Sequence, residues 1–142
     1  MILCDTGPLV ALANPREAKI HARCVEVLAQ LTSPLLTTWV CLAEAFQLAG
    51  RMGGWPCQEV LWKIVANPEA VEIHMPSPGK PARMRKLMEQ YRNVPMDLAD
   101  ASLIVAAESR RVRRIFTLDS DFLIFRTSDG GAFDIVPGVA GV

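Results

Sequence analysis

Long apolar runs are missing from this chain, and so are closely spaced cysteine pairs and any excess of charge. Its apolar stretches are short and interrupted by charged residues, and "MILCDTG" reaches an aspartate at position 5, so neither a membrane span nor a signal peptide is expected. A cytoplasmic protein is expected. The cysteines, Cys4, Cys24, Cys41 and Cys57, show no C-x-x-C spacing, and His21 and His74 are the only imidazoles. That excludes a zinc constellation and points to reduced, packed thiols. Fifteen basic residues balance fifteen acidic ones, so bulk charge supplies no pull toward nucleic acid or an anionic membrane. No repeat, low-complexity tract or linker divides the sequence.

What the chain does have is apolar content. At 142 residues and 51% hydrophobic, it is expected to form one domain over residues 1–142 with a generous core. Strand-like and helix-like stretches alternate. "MILCD" reads as a strand, "PLVALA" as a helical turn, and "PREAKIHARCVEVLAQL" as an amphipathic helix with Pro15 near its first turn. "SPLLTT" fits a second strand, "WVCLAEAFQLAGRM" a helix stopped by Gly53-Gly54, and "PCQEVLWKIVAN" a helix ended before Pro68. "AVEIHM" is a third strand and "GKPARMRKLMEQY" a polar-faced helix; a helix from Asp97 leads into "RRIFTLD", and "AFDIV" is a fifth strand. This alternation predicts an α/β fold with a parallel sheet covered on both faces. Two basic clusters, "KPARMRK" at 80–86 and "SRRVRR" at 109–114, stand out; Arg110, Arg111, Arg113 and Arg114 suit either the C-terminus of the preceding helix or flanking phosphates.

The acids carry more information. Asp97 and Asp100 open the apolar run "DLADASLIVAAE", where Asp97 is explained as a helix N-cap, whereas Asp100, a turn further in among core-facing residues, needs a partner. Asp5 ends the first strand, and Asp119 ends the fourth with Asp121 two residues on. Ligands of open α/β sheets bind outside the carboxyl ends of strands, where strand order reverses. Glu44 lies inside a helix among apolar residues; a Thr38 capping box needs an acid at position 41, where Cys41 stands, so capping does not account for Glu44. Four carboxylates drawn to one pole repel one another without a cation. Mg2+ or Mn2+, hard ions that take carboxylate and water oxygens, are the natural choices.

Four fragments spread along the chain, "MILCDTGPLVALA", "LAEA", "PMDLADASLIVAAE" and "RRIFTLDSDF", together resemble the PIN-domain ribonucleases, specifically the VapC-type toxins of toxin-antitoxin pairs. The resemblance implies that Asp5, Glu44, Asp100 and Asp119 are catalytic and bind the metal, with Asp121 an auxiliary acid, Thr6 and Thr117 hydroxyls beside the site, and Asp97 a cap or supporting group. It implies a single PIN-like domain with sheet order 3-2-1-4-5, and hydrolysis of single-stranded RNA with a Mg2+ or Mn2+ cofactor, leaving a 5'-phosphate and a 3'-hydroxyl. It implies RNA as substrate, a cognate antitoxin whose C-terminal peptide reaches the acids with a basic side chain, and a homodimer. Trp55 and Trp62, seven apart on one helix, would line the antitoxin groove or the dimer contact, the plainer alternative being core. Gly7-Pro8 departs from the Ser-Ala frequent in the family and removes no ligand.

Three other readings are weighed. "CDTG" also occurs in aspartic proteases, which are all-β. A receiver or phosphatase-like domain wants Asp-x-Asp after the first strand or a phosphate-binding Lys after a late one, and this chain has Thr6-Gly7 and no such Lys. A non-catalytic PIN-like module that binds RNA or protein has no reason to keep the repulsion of four acids.

Overall fold

The computed structural model describes residues 1–136, so residues 137–142 of the expected domain lie outside the described residues. The elements run β1 (Ile2–Cys4), α1 (Thr6–Ala13), α2 (Ala18–Gln30), β2 (Leu35–Thr38), α3 (Trp39–Gly53), α4 (Trp55–Val65), β3 (Val71–His74), α5 (Lys80–Gln90), α6 (Leu98–Arg110), β4 (Arg114–Phe116), a 3-10 turn (Ser120–Leu123) and β5 (Asp134–Ile135). The five strands form one sheet in the order β3-β2-β1-β4-β5, and every pairing is parallel, as expected.

Alternation along the strands sets the two layers. Ile2 and Cys4 of β1 join Leu35 and Phe116 in a core with α1 to α4, where Leu9, Val27, Leu42 and Leu61 are buried. Leu3, Leu36 and Ile115 point the other way, into a core with Leu87 of α5 and Leu103, Ile104 and Val105 of α6. Helix α6 is apolar nearly all round because it is covered nearly all round, buried continuously from Ala99 to Ala107.

Local chemistry fixes the ends. Asp5 caps α1 by accepting from the Thr6 N–H at 2.8 Å, so the helix begins directly after β1, at Thr6 instead of the Pro8 that opens "PLVALA". Helix α2 begins at Ala18, later than expected, because the Asn14 carboxamide oxygen accepts from the Arg16 N–H at 3.2 Å and holds Pro15–Glu17 in a turn. Thr38 caps α3 through the Cys41 N–H at 3.2 Å, without a reciprocal acid. The stop at Gly53-Gly54 has two reasons: Gly54 adopts φ 69°, and a Cβ on Gly53 would sit 2.1 Å from Cys57 Sγ. Strand β5 is two residues long, shorter than "AFDIV", and is preceded by an antiparallel bridge between Arg126 and Ala132. All four cysteines are buried and unbridged.

Candidate metal centre

Parallel pairing of β1 with β4 puts Leu3 opposite Ile115 and Cys4 opposite Phe116, so Asp5 and Thr117 leave the sheet side by side at its carboxyl edge. The Asp5 N–H donates to the Phe116 carbonyl at 3.0 Å. Beyond it the Thr117 hydroxyl donates to Asp5 Oδ2 at 2.8 Å and accepts from the Asp119 N–H at 3.0 Å. Asp119 Oδ1 then accepts from the Asp121 N–H at 2.9 Å and starts the 3-10 turn. One hydroxyl thus couples the backbone carrying Asp119 to the carboxylate of Asp5. Asp5 and Thr117 are buried, while Asp119 and Asp121 are half-buried.

The third acid arrives from α6. Asp97 is its N-cap and accepts from the Asp100 N–H at 2.8 Å, while Asp100 Oδ2 accepts from the Asp97 N–H at 3.2 Å. This is a capping box made of two aspartates. Asp97 is therefore the cap that the sequence suggests. Asp100 also serves the helix start, yet its carboxylate turns toward the sheet: Asp5, Asp100 and Asp119 each bring one carboxylate oxygen within 4.8 Å of the others. Glu44 stands outside that trio but lines the same cleft, on α3. Thr6 donates its hydroxyl to the Cys41 carbonyl at 3.3 Å, tying α1 to α3 behind the acids.

Electrostatics follow from this crowding. Burial pushes the Asp5 carboxyl up to about 6, against bonds from Thr117 and Thr6 that favour the anion; Asp119 and Asp97 add repulsion. Asp100 is also held well above the carboxylate range, first by burial, then by Asp97, Asp5 and Asp119. Glu44 is raised by burial and by Asp97, and Asp121 by burial and by Asp119. The trio lines a cleft of about 400 Å3 whose walls are largely apolar, including Val10, Ala11, Leu48 and Leu118. The cleft carries six carboxylates, those of Asp5, Glu17, Glu44, Asp97, Asp100 and Asp119, and no lysine or arginine among its described lining residues. Gly7 and Pro8 fall in the first turn of α1, where an added Cβ on Gly7 would meet the Leu118 side chain at 3.4 Å, an ordinary contact.

Other sequence candidates lie elsewhere. Arg110, Arg113 and Arg114 pair with Glu72, Asp129 and Asp134. They sit at the C-terminus of α6 and the amino edge of β4, and a 13-residue helix places them about 20 Å from the acids at its other end. Trp55 and Trp62 are 60% and 47% exposed, so neither is plain core; Trp62 packs its ring 4.6 Å from that of Phe46. Neither lines the acid cleft. Asn14 and Glu17, which do line it, carry no sequence signal beyond their place beside Pro15.

No curated protein matches this chain. Among solved structures, the crystal structure of Mycobacterium tuberculosis VapC20, a sarcin-ricin loop cleaving toxin, superimposes with a TM-score of 0.81, covering 96% of this chain and 100% of that one at 18% sequence identity. Identity that low establishes a shared fold. The profile of the PIN domain matches residues 2–126. The chain belongs to the PIN-domain family.

Proposed function

We propose that this protein is a Mg2+- or Mn2+-dependent endoribonuclease of the VapC type, the toxin of a toxin-antitoxin pair. The observation that carries the reading is the meeting of three carboxylate oxygens within 4.8 Å, on residues drawn from two strand ends and a helix start. A hard divalent ion fits this donor set, because two of the three groups are buried and held above their ordinary range in its absence, and a cation relieves both effects. Asp5, Asp100 and Asp119 hold the ion in this reading; Glu44, on the same cleft wall, completes the quartet, and Asp121 is auxiliary. The likeness to VapC20 supports an RNA substrate.

When bound, the ion supplies Lewis acidity to a phosphodiester oxygen and makes a hydrolytic water more acidic. The chain's own contribution is position. The Thr6 N–H and the Thr117 hydroxyl fix both oxygens of Asp5, the Asp97 N–H orients Asp100, and the Thr117–Asp119 bond sets the distance between the two strand ends. Burial of Asp5 and Asp100 strengthens the charge interactions they make. With no lysine or arginine in its described lining, the cleft itself has nothing to neutralise a phosphate. In this reading the protein works in the cytoplasm; among the described residues no helix is long and apolar enough to cross a membrane. A cognate antitoxin and a homodimer complete the proposal, with exposed Trp55 and Trp62 as the surface such a contact would bury.

The test is RNA cleavage by purified protein with Mg2+ or Mn2+ against excess chelator, with Asp5→Asn, Glu44→Gln and Asp100→Asn as inactive controls. Cleavage that persists in chelator refutes the reading. In cells the wild type is expected to arrest growth and Asp100→Asn is not; equal arrest would transfer the effect from hydrolysis to binding.

A further inference from the structure

Resting on the nuclease reading, we infer that the apolar cleft beside the three aspartates is a nucleobase subsite selective for guanine, with the Asn14 carboxamide and the Glu17 carboxylate as its specificity-determining groups. Asn14 ends α1, donates its backbone N–H to the Val10 carbonyl at 3.0 Å, and accepts the Arg16 N–H on Oδ1 at 3.2 Å. That second bond settles which way the amide lies, since only its oxygen can accept. Nδ2 is left without a hydrogen-bond partner among the described residues, on a side chain that lines the cleft in a residue only 3% exposed. Because the side chain is held in place and this donor meets only solvent in the cleft, a ligand that offers an acceptor there replaces water at a fixed position.

Glu17 supplies the complementary half. It precedes α2 at the N-cap position, yet its side chain makes no capping bond and no ion pair among the described residues, and it stands exposed at the mouth of the same cleft. Between the two, Arg16 anchors its guanidinium on the Met52 carbonyl at 2.5 Å, bracing the turn against a residue of the opposite wall. Val10, Ile20, Leu48 and Leu118 line the space between with apolar surface that suits the faces of a flat ring.

A fixed donor beside a free carboxylate selects among bases. Guanine presents O6 as acceptor next to two adjacent donors, N1–H and the N2 amino group, which match Nδ2 and both carboxylate oxygens. Adenine and cytosine each offer one donor beside an acceptor. Uracil turns a second oxygen toward Glu17. With the base held by Asn14 and Glu17, the adjoining phosphodiester lies in the same cleft as the three aspartates, so the subsite positions the bond to be cut.

The experiment titrates 15N-labelled protein with the four nucleoside 5'-monophosphates and follows the Asn14 side-chain amide by NMR. Guanosine monophosphate is expected to move that resonance and to bind about tenfold more tightly than the other three, and inosine monophosphate, lacking the N2 amino group, to lose most of that preference. Glu17→Gln should abolish the distinction between guanosine and inosine monophosphates. Asn14→Asp, which keeps the acceptor for Arg16 and removes the donor, should weaken guanosine monophosphate by a similar factor. Equal affinity for all four nucleotides, or shifts that avoid Asn14, overturns the inference. So does a cleft whose resonances respond to a basic peptide and to no nucleotide. RNA cleavage measured alongside separates the two readings: metal-dependent cleavage without base preference sinks the subsite alone, whereas guanine binding without cleavage sinks the nuclease and leaves the subsite standing.

Discussion

Replacing Asp5 with Asn isolates charge from shape at the most buried carboxylate of the cluster. Asn caps a helix about as well as Asp, so the bond from the Thr6 N–H survives. The bond to Thr117 must reverse, with the amide donating to the hydroxyl oxygen and the hydroxyl proton losing its acceptor, a loss of about 1 kcal/mol. Against this stands the charge. A carboxyl held at about 6 instead of 3.8 costs the metal-free native state ~3 kcal/mol at neutral pH. The balance favours the variant by about 1–2 kcal/mol, or roughly 4–8 °C in melting temperature for a chain of this size.

The sign with pH follows from linkage. Because the folded value of Asp5 lies above the unfolded one, the wild type is penalised in full well above pH 6 and regains most of that stability as pH falls from about 6 toward 3.8, below which the group is protonated in both states. The advantage of Asp5→Asn in chelator should therefore be largest at pH 7 to 8 and vanish near pH 4. Saturating Mg2+ should reverse the order, since an ion at a hundred times its Kd adds about 2.7 kcal/mol to the state that binds it. Thermal melts by circular dichroism across pH, with and without Mg2+, check all three outcomes. A variant no more stable than wild type at pH 7.5 in chelator, or an advantage unchanged at pH 4, refutes the crowding argument.

Thr117→Val removes the hydroxyl shared by Asp5 and Asp119 and should cost about 1–3 kcal/mol in denaturant unfolding while weakening Mg2+ binding by calorimetry; unchanged Mg2+ affinity would show that the bond does not position the acids. Asp97→Ala deletes the cap of α6, a loss of about 1 kcal/mol, but also removes a charge that repels Asp100 and Asp5, so its net cost in denaturant unfolding should be smaller in chelator than with saturating Mg2+; an equal cost in both would show that Asp97 adds nothing to the crowding. Arg113→Ala and Arg114→Ala should leave cleavage of short oligonucleotides near wild type, because both arginines are paired with acids at the pole opposite the cluster; a drop beyond tenfold for a short oligonucleotide would contradict that placement. Gly53→Ala should destabilise by about 1–3 kcal/mol, the added methyl meeting Cys57 Sγ, and Cys57→Ala in the same chain should relieve it.

The order of strands and helices was legible because apolar stretches of strand and helix length alternate along the chain, while the sheet order came from family resemblance. Boundaries were harder where side chains bond back to the backbone: Asn14 delays α2 behind a proline that ordinarily suits a first helical turn, and Asp5 starts α1 early. Asp5 and Asp119 could be placed at strand ends from the sequence alone, and the structure brings Asp100 to them. That Asp100 also closes a capping box was not legible: the sequence marks Asp97 as the cap, but the reciprocal position of such a box ordinarily carries Glu or Gln. Nor was the neutralisation of the arginine cluster, whose partners Glu72, Asp129 and Asp134 lie 16 or more positions away from Arg113 or Arg110 or are reached only through β5 pairing. Glu44 shares the cleft but not the 4.8 Å grouping, a distinction only coordinates make.

The bond between Thr117 and Asp5 joins residues 112 positions apart, and this has a consequence in time as well as in space. A ribosome adds about 5–20 residues per second, so roughly 6 to 22 s separate the appearance of the two partners. Throughout that interval β1 lacks its β4 neighbour, and Asp5 lacks both Thr117 and Asp119. The acid cluster therefore cannot assemble until nearly all of the sheet has emerged, and any activity that depends on it is confined to the finished chain.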